Sequence, residues 1–170
     1  MNKYLKTINK EFIKLAKLKN TIFLGQQVFE TDCYGIFKDI PKEKRLELPV
    51  VEELQLSMSI GLALEGFLPI SFFQRHDFLF RAMDSLCNQL ELLKDLSRGL
   101  FNPKVLIVTT VGVKNSGLQH NKDITKGLKA LLKNIKIFNP KTAQQVKESF
   151  KKIKRYDGSS IITFYQELFK

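Results

Sequence analysis

Pro49 to Phe78 reads PVVEELQLSMSIGLALEGFLPISFFQRHDF, a helix and a buried strand set end to end. From about Glu52 to Glu65 the pattern is helical; Pro49 stands ahead of it and Gly66 follows as a C-terminal cap. Phe67–Phe73 is mostly apolar without clean alternation, which suits a strand buried on both faces, the habit of parallel sheets. A helix that leads straight into such a strand is the repeating step of an α/β fold.

The same step recurs on either side. Upstream, Leu5, Ile8, Phe12 and Leu15 fall at helical spacing among lysines, giving an amphipathic helix with one core face. Thr21–Leu24 reads as a short buried strand closed by Gly25, and a loop with the turn formers Asp32, Gly35 and Pro41 follows. Downstream, the pattern predicts a long helix over Asp77–Ser97, ended by Gly99 and Asn102-Pro103. Lys104–Val111 is the clearest strand, β-branched and bounded by Pro103 and Gly112. A loop to about His120, a helix to Lys133 and a strand at Ile135–Phe138 come next. Asn139 as N-cap and Pro140 in the first turn open another helix, and Ser160–Phe164 is the last strand. Strands alternating with helices predict an α/β three-layer sandwich, a mostly parallel sheet covered by helices on both faces. Residues 1–170 read as a single domain.

Composition narrows the function classes. An apolar fraction of 44% is ample for a core, yet the longest apolar runs, such as Val105–Val108 and Gly61–Leu64, are far too short to span a bilayer. Cys33 and Cys87 lie far apart without CxxC spacing, which reads as two structural thiols in a reducing cytoplasm. Two histidines make no convincing metal site, so no metal ligand is expected from this chain. The net charge of +11 gathers in the first twenty residues and between Lys122 and Arg155. Arginine is scarce there and aromatics do not interleave with the lysines, so solvated helix faces account for the charge better than a nucleic-acid surface does.

Sheets of this kind bind ligands at the carboxyl ends of their strands, which singles out the loop after Leu24, Pro49–Glu53, Phe73–Phe78 and Val111–His120. The phosphate-gripping signatures GxxxxGK[ST], GxGxxG and a GDG triplet with a later Asn are all missing, and no Ser or Cys sits in a nucleophile elbow.

Order and spacing add a resemblance. Leu48-Pro-Val-Val-Glu-Glu53, Gly61-Leu-Ala-Leu-Glu-Gly66, Pro69, Phe72-Phe-Gln-Arg-His-Asp-Phe78 and Ala82-Met-Asp84 run in one register, with Phe23-Leu-Gly-Gln-Gln-Val28 and Tyr34-Gly-Ile-Phe-Lys38 before them and Gly117-Leu-Gln-His120 and Ile161–Phe169 after. Together they resemble the transketolase-like pyrimidine-binding domain of thiamine-diphosphate enzymes, above all the β subunit of the decarboxylating component of 2-oxo acid (pyruvate) dehydrogenase, without its C-terminal domain.

The resemblance implies roles. Glu52 stands for the acid that bonds N1′ of the aminopyrimidine, favouring the imino tautomer that takes the C2 proton of the thiazolium. By composition alone, Glu52 and Glu53 are also good helix-start acids, worth about 0.3–1 kcal/mol. Phe78 stands for the aromatic packed on the pyrimidine, with Gln74 and His76 on the same strand end; His120 stands for a loop histidine facing substrate. Gln26 takes a cofactor-side position where the family carries an acid. Asn121 replaces a typical Ser, and Thr109–Lys114 lacks the family's Arg-Gly/Pro-Pro pattern, which leaves substrate and acceptor open.

In that family a second domain anchors the diphosphate through Mg²⁺. The expectation is therefore a split enzyme, inactive alone: this chain activates thiamine diphosphate through Glu52, while a partner subunit with a GDG-type motif holds Mg²⁺, in a homo- or hetero-oligomer. The reaction would be oxidative decarboxylation of a 2-oxo acid or ketol transfer. Two other readings stay open at this stage, a non-catalytic structural or regulatory module of the same fold and a basic nucleic-acid-binding domain.

Overall fold

The computed structural model describes residues 2–112 and 117–170; the part of the Val111–His120 loop that falls at 113–116 lies outside the described residues. Six strands, β1 (Thr21–Gly25), β2 (Arg45–Glu47), β3 (Leu68–Phe73), β4 (Leu106–Val111), β5 (Lys136–Phe138) and β6 (Ser160–Tyr165), form one sheet in the order β2-β1-β3-β4-β6-β5. Every pairing is parallel. The helices are α1 (Lys3–Ala16), a single turn α2 (Asp32–Gly35), α3 (Glu52–Leu64), a single turn α4 (Leu93–Leu96), α5 (Thr125–Leu131) and α6 (Ala143–Arg155).

Period-two alternation divides the core into two slabs. Leu106 and Val108 of β4 join Phe12 of α1 and Phe150 of α6 on one face. Val105 and Ile107 join Leu56 and Ile60 of α3 and Leu128 of α5 on the other. Both faces are covered, which is why the strands carry near-continuous apolar runs. On the first face the phenylalanines interlock edge to face: Phe12 meets Phe150 at 5.2 Å and 90°, and Phe37 meets Phe72 at 5.2 Å and 87°. Such geometry sets the positive edge of one ring against the negative face of the next.

Three expected features differ. The helix expected over Asp77–Ser97 is broken into a 3₁₀ turn (His76–Ala82), a π-helical stretch (Ser85–Leu90) and α4. At the π turn the Glu91 N–H bonds the Leu86 carbonyl five residues back at 3.0 Å. Glu91 there accepts the N–H groups of Lys133, Asn134 and Ile135, so a tertiary contact overrides regular winding. The N-cap of α6 is Thr142, which accepts Gln145 N–H at 3.2 Å, because Asn139 donates instead to Thr125 Oγ1 at 2.8 Å. β2 was not expected at all: three residues with two charges, on the sheet's edge, give no apolar run to read.

Candidate active site

β1 is followed by β2 on one side and β3 on the other, so the chain changes direction across β1, and the carboxyl ends there open a crevice. Gly25 closes β1 with φ +141°, a conformation L-residues rarely adopt, and a Cβ there would drive into the Phe72 carbonyl oxygen and lie 3.2 Å from Gln55 Nε2. Gln55 is buried and donates to Phe72 O (2.9 Å) and Ser71 Oγ (3.1 Å). One turn before it, Glu52 opens α3. The close packing of Gly25 on Gln55 thus fixes the start of α3 over the strand ends.

Glu52 is 6% exposed, and its Oε2 lies 3.8 Å from Arg81 Nε, a side chain that is itself 77% exposed. Val50, Val51, Ser57 and Arg81 line a cleft with it, of about 480 Å³. Glu53, next along, is exposed. Helical geometry turns successive residues by about 100°, and that rotation buries Glu52 and exposes Glu53, although both line the cleft. Ser57 Oγ bonds Ser85 Oγ at 2.8 Å, tying α3 to the segment that carries Phe78 and Arg81.

Phe78 is half-buried against the α3-side core, and its ring meets that of His120 edge to face at 5.6 Å and 80°. His120 Nδ1 lies 3.0 and 3.2 Å from the two carboxylate oxygens of Asp77. The Gly112 N–H donates to His120 O at 2.9 Å and pins the loop to the end of β4. Gln74 is half-buried at the strand end, and its carbonyl accepts the Thr110 hydroxyl at 2.5 Å. Gln26 follows Gly25 directly, half-buried, with its carbonyl 3.6 Å from Cys33 Sγ.

His76 is a core residue rather than a site residue. It is fully buried, accepts Ile124 N–H at Nδ1 (3.2 Å) and donates from Nε2 to Thr163 Oγ1 (2.8 Å). Burial holds its pKa below the ordinary imidazole value, opposed by the Asp123 carboxylate 3.7 Å away. For Asp123 burial raises the pKa, but hydrogen bonds from Thr125 and Tyr165 outweigh it and the net shift is down.

The structure therefore brings Phe78 and His120 into contact and links Glu52 to the same 3₁₀ turn through Arg81. Gln26 stands at the neighbouring strand end, where its carbonyl faces Cys33. Sequence reasoning missed Asp77 and Arg81. Both flank Phe78, but nothing along the chain signals that residue 77 meets residue 120. Among the described residues there is no group of three or more metal-ligating side chains, and no helix is long and apolar enough to cross a membrane.

No family model matches the chain. The β subunit of the pyruvate dehydrogenase E1 component from Bacillus subtilis is 26% identical over 113 residues, covering 66% of this chain and 35% of that protein. Among solved structures, a split-gene transketolase crystallised as an inactive β4 tetramer superposes with a TM-score of 0.69 at 18% identity, over 96% of this chain and 49% of that one. An enzyme isolated from Mycobacterium smegmatis and described as thiamin diphosphate-dependent gives 0.63 at 14% identity, over 96% of this chain and 31% of that one. The chain is thus a relative of the pyruvate dehydrogenase E1 β subunit with the transketolase-like fold of thiamine-diphosphate-dependent enzymes, spanning a third to a half of the proteins it matches.

Proposed function

We propose that this chain is the pyrimidine-binding domain of a thiamine-diphosphate-dependent enzyme and acts through Glu52 at an interface with a diphosphate-binding partner. The observation that supports it most is Glu52 itself: a buried acid at a helix start, 6% exposed, whose counterion Arg81 is an exposed side chain 3.8 Å away. A buried carboxylate that lines a cleft, and whose cation is itself largely solvated, suits a carboxylate that meets a ligand donor.

An aminopyrimidine in this cleft would meet both an acid and apolar side chains. Glu52 offers the acceptor for a ring nitrogen that carries or shares a proton, and Val50 and Val51 supply apolar walls. When bound, the cofactor supplies the electron sink for breaking or making a C–C bond next to a carbonyl. Glu52 would hold the proton at the pyrimidine nitrogen, while Phe78 and His120, which meet each other beyond the lining of that cleft, would bound the substrate side. Gln74 and Gln26, at the two flanking strand ends, complete the cofactor side.

The diphosphate and its Mg²⁺ are assigned to a partner chain with a GDG-type motif, since no such triplet occurs in this sequence. The whole of residues 1–170 serves as the one domain, inactive alone and active in a homo- or hetero-oligomer. Oxidative decarboxylation of a 2-oxo acid and ketol transfer are the two reactions that fit.

Co-expression with candidate partner chains, then calorimetric titration with thiamine diphosphate and Mg²⁺, tests the reading. The expected result is saturable binding by the complex, none by the isolated chain, and loss of turnover by 100-fold or more, an order-of-magnitude expectation, on Glu52→Gln. A complex that ignores the cofactor, or an unimpaired Glu52→Gln complex, would overturn it.

A further inference from the structure

We propose that Asp77 is a positioning residue for His120: it fixes the proton on Nδ1 and leaves Nε2 as the acceptor. The catalytic use of that nitrogen rests on the function proposed above; the tautomer does not.

A carboxylate only accepts hydrogen bonds, so the 3.0 Å contact between Asp77 and His120 Nδ1 requires the imidazole to carry a proton there. In the neutral ring the lone pair is then on Nε2. The second carboxylate oxygen lies 3.2 Å from the same nitrogen, so the ring is held from one edge by the whole carboxylate. The Gln119 amide nitrogen lies 3.5 Å from Nε2, a donor facing an acceptor at the limit of bonding distance.

Two further contacts fix the ring's orientation. The Phe78 edge contact limits its tilt, the Gly112 N–H holds its backbone, and the Asp77 side chain, 14% exposed, is shielded enough for its charge to be felt. His120 is 25% exposed, and the neighbour at its Nε2 is the Gln119 amide. In a proton transfer, Nε2 would take the proton of a substrate hydroxyl and leave the alkoxide. The resulting imidazolium would keep its Nδ1–H bond to the ionised Asp77, and the proton would return by the reverse step.

The chain carries its own control. At His76 the group in hydrogen-bonding distance of Nδ1 is instead the Ile124 N–H, with the Asp123 carboxylate further off at 3.7 Å and the Thr163 hydroxyl at Nε2, an arrangement that assigns the neutral ring to the Nε2–H tautomer. The two histidines are thus assigned opposite tautomers by the group bonded at Nδ1, a carboxylate at His120 and a backbone N–H at His76.

Ring nitrogen NMR on the chain of residues 1–170 labelled with ¹⁵N-histidine tests this directly, at about pH 8, above the ordinary imidazole range. The wild type should give one Nδ1–H pattern, from His120, and one Nε2–H pattern, from His76. Asp77→Ala should move His120 to the Nε2–H pattern favoured by free imidazole, with His76 unchanged as proof of folding, and Asp77→Glu should restore part of the Nδ1–H population. In the assembled enzyme, Asp77→Ala should lower kcat by about 10–100-fold with little change in cofactor affinity. A wild-type His120 already protonated at Nε2, or a tautomer indifferent to Asp77→Ala, would overturn the proposal without touching the cofactor reading. A tautomer that moves as expected in a chain whose complex ignores thiamine diphosphate would leave the pairing standing and remove the reading instead.

Discussion

Gln55 packs directly over Gly25: a Cβ added to Gly25 would lie 3.2 Å from the Gln55 amide nitrogen and would run into the Phe72 carbonyl that this amide already bonds. Gly25→Ala therefore combines a φ of +141° with a backbone clash. It should cost at least about 2 kcal/mol in urea unfolding. Gly61→Ala is the internal contrast. Gly61 is on the exposed side of α3 with nothing within 4 Å of a new Cβ, so alanine should stabilise by about 0.5–1 kcal/mol through helix propensity. Equal effects at the two glycines would mean that α3 is not seated on β1 as described.

His76 makes stability depend on pH. Its folded pKa is lowered by burial, so below about 6.5 the unfolded chain binds more protons than the folded one. Stability should be full above that pH and fall as pH drops through the window beneath it, by up to about 1.4 kcal/mol per pH unit. Asp123, also lowered, keeps its contribution down to about pH 4, its unfolded value, and loses it only below. The two windows are separable by urea unfolding across pH. His76→Gln should flatten the upper one alone, and a slope that survives that change would have to come from another group.

Glu91 holds a turn of the chain by its charge. Its two oxygens accept N–H groups from Lys133 (2.6 Å), Asn134 (2.8 Å) and Ile135 (3.1 Å) at 5% exposure. Glu91→Ala strands buried donors and should cost about 3 kcal/mol or more; Glu91→Gln, which keeps one acceptor oxygen, should cost less. Hydrogen exchange at residues 133–135 should speed up first, because these amides lose their acceptor. Unchanged exchange there would show that water serves them as well.

Which parts of this architecture could be read along the chain follows from how local each cause is. α3 was legible to within a residue because its helical pattern, its acidic start and Gly66, with φ +83°, are all neighbours in sequence. β3, β4 and β6 were legible because burial on both faces writes an apolar run into the strand itself. β2 and the π turn were not, since one is made by its neighbour strand and the other by the distant 133–135 turn. The site divides the same way. Glu52, Phe78 and His120 were singled out through ordered motifs, and their roles remain those proposed above; Glu52 is buried, and Phe78 meets His120. His76 looked equally suitable from its place on the strand end, and only Thr163 and Ile124, far off in sequence, make it a core residue. Asp77 and Arg81 escaped because a charge acquires meaning from what it faces.

Glu52 offers the clearest separation of fold from function. If it were only a helix-start acid, neutralising it would cost about 0.3–1 kcal/mol, as expected for Glu53, which is exposed beside it. But Glu52 is 6% exposed, and among the described residues the cation in ion-pair range is Arg81, 3.8 Å away and 77% exposed. The desolvation of its carboxylate offsets the helix-start benefit, and Arg81 is too solvated to add much. Glu52→Gln should therefore leave the unfolding midpoint of the isolated chain unchanged or raised, while Glu53→Gln lowers it slightly. Arg81→Ala should change it by no more than about 1 kcal/mol. A Glu52→Gln chain that is plainly less stable than Glu53→Gln would assign the buried acid to the fold and deprive the cofactor reading of its main support.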